Sequence, residues 1–372
     1  MKKTALWAQA LVLLLFLGLG LLLHLALPDR DFSPQENRVL QPLPGFSFHS
    51  LFQGSFTRRV EDYITDQFPF RDEWISVKAR AELAAGKDSN NDIYLCEGGT
   101  LLETYTAPEE NDFAMRLEAV NMLADNADVP VYFALIPSAA ELRRELLPAG
   151  APNDSQKETI DYAYANVQAR TVNVYDALDG HKDEAIYYRT DHHWTTLGAY
   201  YGYTALAEAM GFDPVPLEEY DETLVTDAFY GSAWSASGFS WVAPDSISTY
   251  VPQGDAVVTN YPQRQPEPGV MYDESKLELL NKYPYFFGGN TPLLTIETGN
   301  SDAPSLLILR DSYMDSLSPY LLPHFSTIHI LDLRYYQTGL KAYLAEHPVD
   351  QILVCYSVNN FTQDGNVFLA AS

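Results

Sequence analysis

The hydrophobic and polar positions of this chain fall into three regimes. The first is one unbroken apolar run. From Ala5 to Leu27 only Gln9 and His24 are clearly polar. About 20 apolar residues cross a bilayer as a helix, so residues 1–28 are predicted to be a transmembrane segment. Lys2 and Lys3 precede it, which orients the N-terminus inward and everything after Pro28 outward, an extracytoplasmic position on a single-pass anchor. A cleaved signal would have a shorter apolar core and a small-x-small site. "HLALPDRD" offers no clear site, so the segment reads as an uncleaved signal-anchor, with cleavage as the alternative.

The second regime mixes short helical patterns with breakers. Residues 29–50, rich in Pro and charge, read as a stalk. In "FTRRVEDYITDQ", Phe56, Val60, Tyr63 and Ile64 recur at helical spacing. "FPFRD" interrupts, because Pro69 disfavours helix at Phe68. A helix from about Asp72 to Ala85 is predicted to bury Trp74 and Val77 and to stop at Gly86. "NDIYLCEGGTLLETY" reads as a hairpin around Gly98-Gly99.

The third regime alternates. Apolar runs at 131–136, 172–175, 305–310, 327–333 and 350–357 have the length and continuity of strands buried on both faces. Helical patterns over 111–125, 138–146 and 155–169 separate the early ones. The expected fold is α/β, a sandwich around a mostly parallel sheet. Residues 218–300 break the rhythm with Tyr, Ser, Pro and Gly, as in "FYGSAWSASGFSW" and "YPYFFGGN". They read as an irregular insertion with short strands, lying over the active edge of the sheet. Residues 51–217 and 301–372 are then two parts of one domain.

Composition narrows the partners. With 372 residues and 47% hydrophobic content, the chain can bury a full core. Asp and Glu number 50 against 23 Lys and Arg, and the net charge of −27 repels a phosphate backbone, so nucleic acid is no partner. The bland function of that charge is solubility. Cys96 and Cys355 have neither a disulfide framework nor metal-site spacing, and Cys355 sits in the strand-like "QILVCYS". Both are expected to be free thiols.

Two loops carry candidate chemistry. In "SLLILRDSYMDSLSPYLL" an apolar strand turns at Arg310-Asp311-Ser312 and continues as a helix striped by Met314, Leu317 and Leu321. Such a turn lifts Ser312 to the carboxyl edge of the sheet, where α/β proteins place ligands. Backbone N–H groups at the helix start could hold an oxyanion. The competing reading is a cap, Ser312 with Asp315 as a capping box or Asp311 alone. The second loop is "RTDHHWTT". In an extended segment Asp191 and His193 share a side and His192 faces the other. A carboxylate on Nδ1–H fixes the imidazole tautomer and leaves Nε2 as a base. A helix begins at Thr195 or Thr196, shows Leu197, Tyr201 and Ala205 on one face, and ends at Gly211.

Three readings of Asp191, His192 and His193 compete. They could be helix-start residues with incidental histidines. They could ligate zinc or manganese, but the remaining histidines are scattered without paired acids. They could form a Ser–His–Asp relay with Ser312, which alone explains both loops together.

"TDHHWT" resembles the motif that names the DHHW proteins, which are similar to the alginate O-acetyltransferase proteins of the SGNH-hydrolase superfamily. "ENRVLQPLP", "DQFPFRDEW", "LRDSYMDSLSPYL", "DLRYY" and "YSVNNF" resemble further blocks of that group, covering most of residues 34–362. The resemblance implies an SGNH-like sandwich with Ser312 as nucleophile, His193 as base and Asp191 as its orienter. His192 receives no role. Trp194 would support the loop or line the cleft, and Tyr313 would contact substrate. Asn360, Asn290 and Arg334 are candidate oxyanion or substrate contacts, with a buried structural role as the alternative for each. No metal or cofactor is implied. The implied activity is acetyl transfer to a cell-surface polysaccharide, with acetyl groups supplied by a membrane-bound O-acyltransferase. A carbohydrate or small-ester esterase with the same triad, or a non-catalytic polysaccharide-binding protein, are the alternatives.

Overall fold

The computed structural model describes residues 2–251 and 255–372. Residues 252–254 of the insertion, and the side chains of Lys2 and Lys3 that set the expected orientation, lie outside the described part. The chain divides into two compact units, Met1–Asn90 with Ser235–Ser240, and Asn91–Trp234 with Trp241–Ser372.

In the first unit a helix runs over Lys2–Ala26, 25 residues. At about 1.5 Å per residue it is about 37 Å long, enough for a hydrocarbon core of about 30 Å. Its segment Gln9–Ala26 is apolar enough to cross a membrane and has no buried residue, as suits an anchor or a signal peptide. Residues of the expected stalk are pinned to the helices that follow. Arg38 forks onto Asp66 at 2.6 and 2.9 Å, and Arg71 forks onto Glu36. Two distant stretches, "ENRVL" and "DQFPFRD", are thereby cross-braced. Trp74 and Val77 differ from expectation. In the helix Arg71–Ala84 they are 45% and 52% exposed, and the buried residue is Ala79. The Trp74 ring instead meets Phe16 edge-on at 5.9 Å.

The second unit is built on eight strands: β1 (Val131–Ile136), β2 (Arg170–Val172), β3 (Ala256–Asn260), β4 (Glu267–Pro268), β5 (Leu293–Thr298), β6 (Leu306–Arg310), β7 (Thr327–Leu331) and β8 (Gln351–Ser357). Their order is β4-β3-β5-β7-β6-β8-β1-β2. The five strands from β7 to β2 are mutually parallel, and β3, β4 and β5 add antiparallel pairings at one side. The sheet is thus mixed and mostly parallel. The insertion is less irregular than its composition suggests, because it supplies β3, β4 and β5 and a long hairpin, Asp221–Phe229 with Asp245–Val251.

The continuous apolar runs have a direct cause. Alternate residues of one strand enter opposite cores. Tyr132, Ala134 and Ile136 face one with Ile308 and Cys355, while Val131, Phe133 and Leu135 face the other with Leu309 and Val354. The helix Thr196–Met210 covers the first face; the helices Glu110–Asn126 and Gln156–Asn166 cover the second. Three local expectations change. Strand β2 stops at Val172, because the Asn173 side chain accepts from Asp176 N–H and caps a helix, Val174–Asp179. The helix expected over 138–146 is a short turn, Ala139–Leu142, followed by a 3-10 turn. In Thr196–Met210 the most buried face carries Ala199, Tyr203, Leu206 and Ala207, whereas Leu197 and Tyr201 are only half-buried; Tyr201 stacks on His181. Cys96 and Cys355 are both buried and free.

One side chain ties the loop to the core. Trp194 is fully buried, and its indole N–H donates to Tyr313 O at 2.9 Å. A Cβ at Gly202 would lie 2.7 Å from the ring, so the helix makes room with a glycine. Trp194→Ala is expected to lower stability by about 3–5 kcal/mol, measured by denaturant unfolding of the detergent-solubilised chain.

Candidate active site

The Asp191–His193 segment is closed before its side chains act. Tyr187 bridges Trp194 in antiparallel fashion, Tyr188 N–H donates to His193 O at 3.3 Å, and Thr195 N–H donates to Ile186 O at 2.9 Å. Thr195 caps the following helix by accepting from Gly198 N–H at 3.2 Å. Asp191, not needed as a cap, is 2% exposed. Its Oδ1 accepts from His193 N–H at 2.9 Å and from His193 Nδ1 at 2.5 Å; its Oδ2 accepts from Ser232 N–H at 2.7 Å. An ionised carboxylate only accepts, so Nδ1 carries the proton and Nε2 is left as an acceptor. The Ser312 hydroxyl lies 2.7 Å from that Nε2.

Ser312 follows the end of β6, with Asp311 beneath it. Asp311 is fully buried and accepts from Tyr313 N–H (3.0 Å), Ser357 N–H (2.8 Å), Ser357 Oγ (2.7 Å) and Asn360 Nδ2 (2.8 Å). It ties the turn after β6 to the end of β8. The capping box expected of Ser312 and Asp315 does not form. Ser312 makes no side-chain cap bond, and Asp315 turns instead to the buried Arg310 at 3.1 Å. Arg310 also approaches Asp332 at 3.7 Å, and Asp332 pairs with Arg334 at 2.7 Å. Burial pushes the Asp315 carboxyl up to about 7, against the pull of Arg310.

Burial also sets the character of the triad. It would raise the Asp191 carboxyl, but the adjacent imidazoles of His193 and His192 and the Ser232 N–H outweigh it and hold Asp191 well below the usual carboxylate range. Burial, reinforced by His192, pushes the His193 imidazole down to about 4, although Asp191 pulls the other way. A neutral imidazole against a serine hydroxyl is the protonation state a general base needs.

Two contacts from the insertion complete the arrangement, and neither had a local signal in the sequence. Tyr283, from "YPYFF", stacks on the His193 ring with centroids 3.7 Å apart and planes within 6°. Its hydroxyl donates to Ser312 O at 2.9 Å. Gly231-Ser232 holds the far side of Asp191. A Cβ at Gly231 would lie 2.2 Å from Asp191 Cβ, so only glycine lets the loop close. Asp245 braces the same loop by accepting from Thr190 N–H at 2.7 Å and pairing with Arg189 at 3.2 Å.

The remaining sequence candidates separate. Asn360 and Tyr313 line a cleft of about 180 Å3 beside Asp191 and His192, at the carboxyl ends of β1, β6 and β8. Trp194 is buried away from it. Asn290 Oδ1 faces Arg310 at 3.4 Å, and Arg334 forks onto Asp332. Asn360 donates one amide N–H to Asp311, and the Ser312 N–H is the backbone oxyanion candidate read from the sequence. His192 is 36% exposed, meets Ser232 Oγ through Nδ1 at 2.5 Å, and packs against His193 at 3.9 Å. Asp191, His192 and His193 could offer one atom each to a cation, and those atoms lie within 4.8 Å of one another. To do so, Asp191 and His193 would have to abandon the bonds just described.

A profile of the DHHW protein family matches residues 106–331. No curated protein matches the chain. Among solved structures, a DHHW family protein from Eubacterium siraeum is similar at 23% identity and a TM-score of 0.64, over 74% of this chain and 93% of that one. PatB1 of Bacillus cereus, solved with a sulfonyl adduct, is similar at 20% identity and a TM-score of 0.62, over 75% of this chain and 98% of that one. The O-acetyltransferase domain of AlgJ from Pseudomonas putida matches more distantly, at 14% identity and a TM-score of 0.47, over 73% of this chain and 92% of that one.

Gly231→Ala should push Asp191 out of line while the fold survives. Labelling of Ser312 by a sulfonyl fluoride is expected to slow roughly 10²-fold with an unchanged melting profile. The labelling rate should also follow the base form of His193. Because burial lowers that pKa, the rate is expected to be flat from pH 8 down to about pH 5 and to fall with a midpoint near 4, not at the ordinary value near 6.5.

Proposed function

The chain belongs to the DHHW protein family, and from that premise we propose that it transfers O-acetyl groups to a cell-surface polysaccharide. One observation carries the reading: His193 Nε2 stands 2.7 Å from Ser312 Oγ while Asp191 holds the opposite ring nitrogen. That geometry supports an SGNH-type acyl-transfer reading, with Ser312 as nucleophile, His193 as general base and Asp191 as orienter.

The reaction proceeds in two halves. His193 accepts the hydroxyl proton as Ser312 Oγ attacks the carbonyl carbon of an acetyl ester. The tetrahedral oxyanion is held by the Ser312 N–H. The donor's C–O bond breaks, the leaving alcohol takes the proton from His193, and Ser312 is acetylated. An acceptor hydroxyl then loses its proton to the same imidazole and attacks the acetyl group. The Ser312–acetyl bond breaks, and Ser312 recovers the proton. Water in place of the sugar makes the same site an esterase.

The apolar N-terminal helix suits a tether, with the catalytic unit outside the membrane beside an integral O-acyltransferase that brings acetyl groups across. PatB1's sulfonyl adduct suggests the reagent class for a test, since sulfonyl groups react with activated nucleophiles. Full-length protein mixed with 4-nitrophenyl acetate is expected to carry one acetyl group on Ser312 by peptide mass spectrometry. Ser312→Ala should carry none, and His193→Ala should acquire it roughly 10²–10⁴-fold more slowly. Acetate at a residue other than Ser312, or equal labelling of His193→Ala, would contradict the reading.

A further inference from the structure

The cleft beside the triad has a distinct chemistry at its walls. Its polar lining consists of hydroxyls, amides, one imidazole and two carboxylates; among the described lining residues there is no lysine or arginine. Ser138 Oγ is shielded from solvent and has no hydrogen-bond partner. Asn359 presents its amide N–H, because its Oδ1 is occupied by Gln156 Nε2 at 2.6 Å. Asn360 donates one of its two amide N–H groups to Asp311, which leaves the other and the oxygen. Gln363 and Glu103 are exposed at the rim.

Such a wall can pair with hydroxyl groups in both senses, as donor and as acceptor. Apart from the His192 imidazole, it has no cationic side chain to neutralise a carboxylate or a sulfate. Salt decides how much the rest of the molecule matters. At physiological ionic strength the screening length is about 8 Å, so most of the net charge of −27 is invisible inside the cleft. The nearby carboxylates remain, Glu103 at the rim and the ionised Asp191 at the base. An anion entering here meets two carboxylates and no lysine or arginine, and it must shed water for the approach.

We infer that this cleft takes an uncharged, hydroxyl-rich ligand and discriminates against polyanionic ones, so that the acceptor is a neutral glycan and not a polyuronate. The inference deepens the acetyl-transfer reading and rests on it. Glu103 is the specificity-determining residue, and the Asn359 and Asn360 amides supply the hydrogen bonds that orient a sugar hydroxyl.

Two aryl acetates of similar size test it on the full-length chain: 4-nitrophenyl acetate, which is neutral, and 4-acetoxybenzenesulfonate, which is anionic. After correction for spontaneous hydrolysis, kcat/KM for acetylation of Ser312 is expected to be at least tenfold higher for the neutral ester. In Glu103→Lys that gap should narrow at least threefold, through faster reaction of the anionic ester. Equal rates, a preference for the anion, or a gap that Glu103→Lys leaves untouched would overturn the inference while the acetyl-transfer reading stands. Failure of both esters to acetylate Ser312 would remove that reading and this inference with it.

Discussion

A buried carboxylate must have its lone pairs occupied or give up its charge, and the Asp191 carboxylate is the group around which this unit is arranged. Its two oxygens are taken by three N–H groups, two from His193 and one from Ser232. Those bonds keep the acid ionised inside the protein and fix which imidazole nitrogen is free. Each of them comes from a chain segment that must be held in turn. Trp194 anchors the segment to the Thr196–Met210 helix and to Tyr313. Gly231 makes the approach of Ser232 sterically allowed. The fold is therefore tuned on both sides of one side chain.

Ser312 is held by a second buried acid, Asp311. Asp311 joins the turn after β6 to the end of β8, so the position of Ser312 is set by two neighbouring parallel strands and not by the short helix alone. Tyr283 links the two halves, since one ring stacks on His193 while its hydroxyl bonds to Ser312 O. Stacking restrains the imidazole plane, and the hydroxyl restrains the Ser312 backbone beside it. Both restraints come from the segment between β3 and β6. Its aromatic richness serves positioning as well as packing.

Much of this was legible in the sequence. The Asp-x-His spacing and the strand-turn-Ser pattern are local, and each points its side chains by backbone geometry alone. The buried strands were readable because a sheet covered on both faces has no polar alternation. What stayed hidden depends on partners far along the chain. Ser232 and Tyr283 reach His193 and Asp191 only through tertiary closure, and nothing in "FYGSAW" or "YPYFF" announces it. The face of the Thr196–Met210 helix with Leu197, Tyr201 and Ala205 packs on the core, but its closest approach to Trp194 is through Gly202, which hydrophobic spacing does not mark. The antiparallel strands β3 and β5 were lost in a Pro- and Tyr-rich composition. For Arg334 and Asn290 the sequence leaves a substrate contact and a structural role both open. Asp332 and Arg310, which occupy them, are visible only in three dimensions.

The tautomer of His193 is the most direct readout of the whole arrangement. With histidine ring nitrogens labelled with 15N, and the His193 signals assigned by comparison with His193→Gln, the account predicts a protonated, pyrrole-type Nδ1 and an unprotonated, pyridine-type Nε2 at pH 7. The Nδ1 proton should be shifted far downfield by Asp191 and should lose that shift in Asp191→Asn. A pyridine-type Nδ1, or a doubly protonated ring at pH 7, would mean that Asp191 does not hold the imidazole for Ser312, and the account would be wrong at its base.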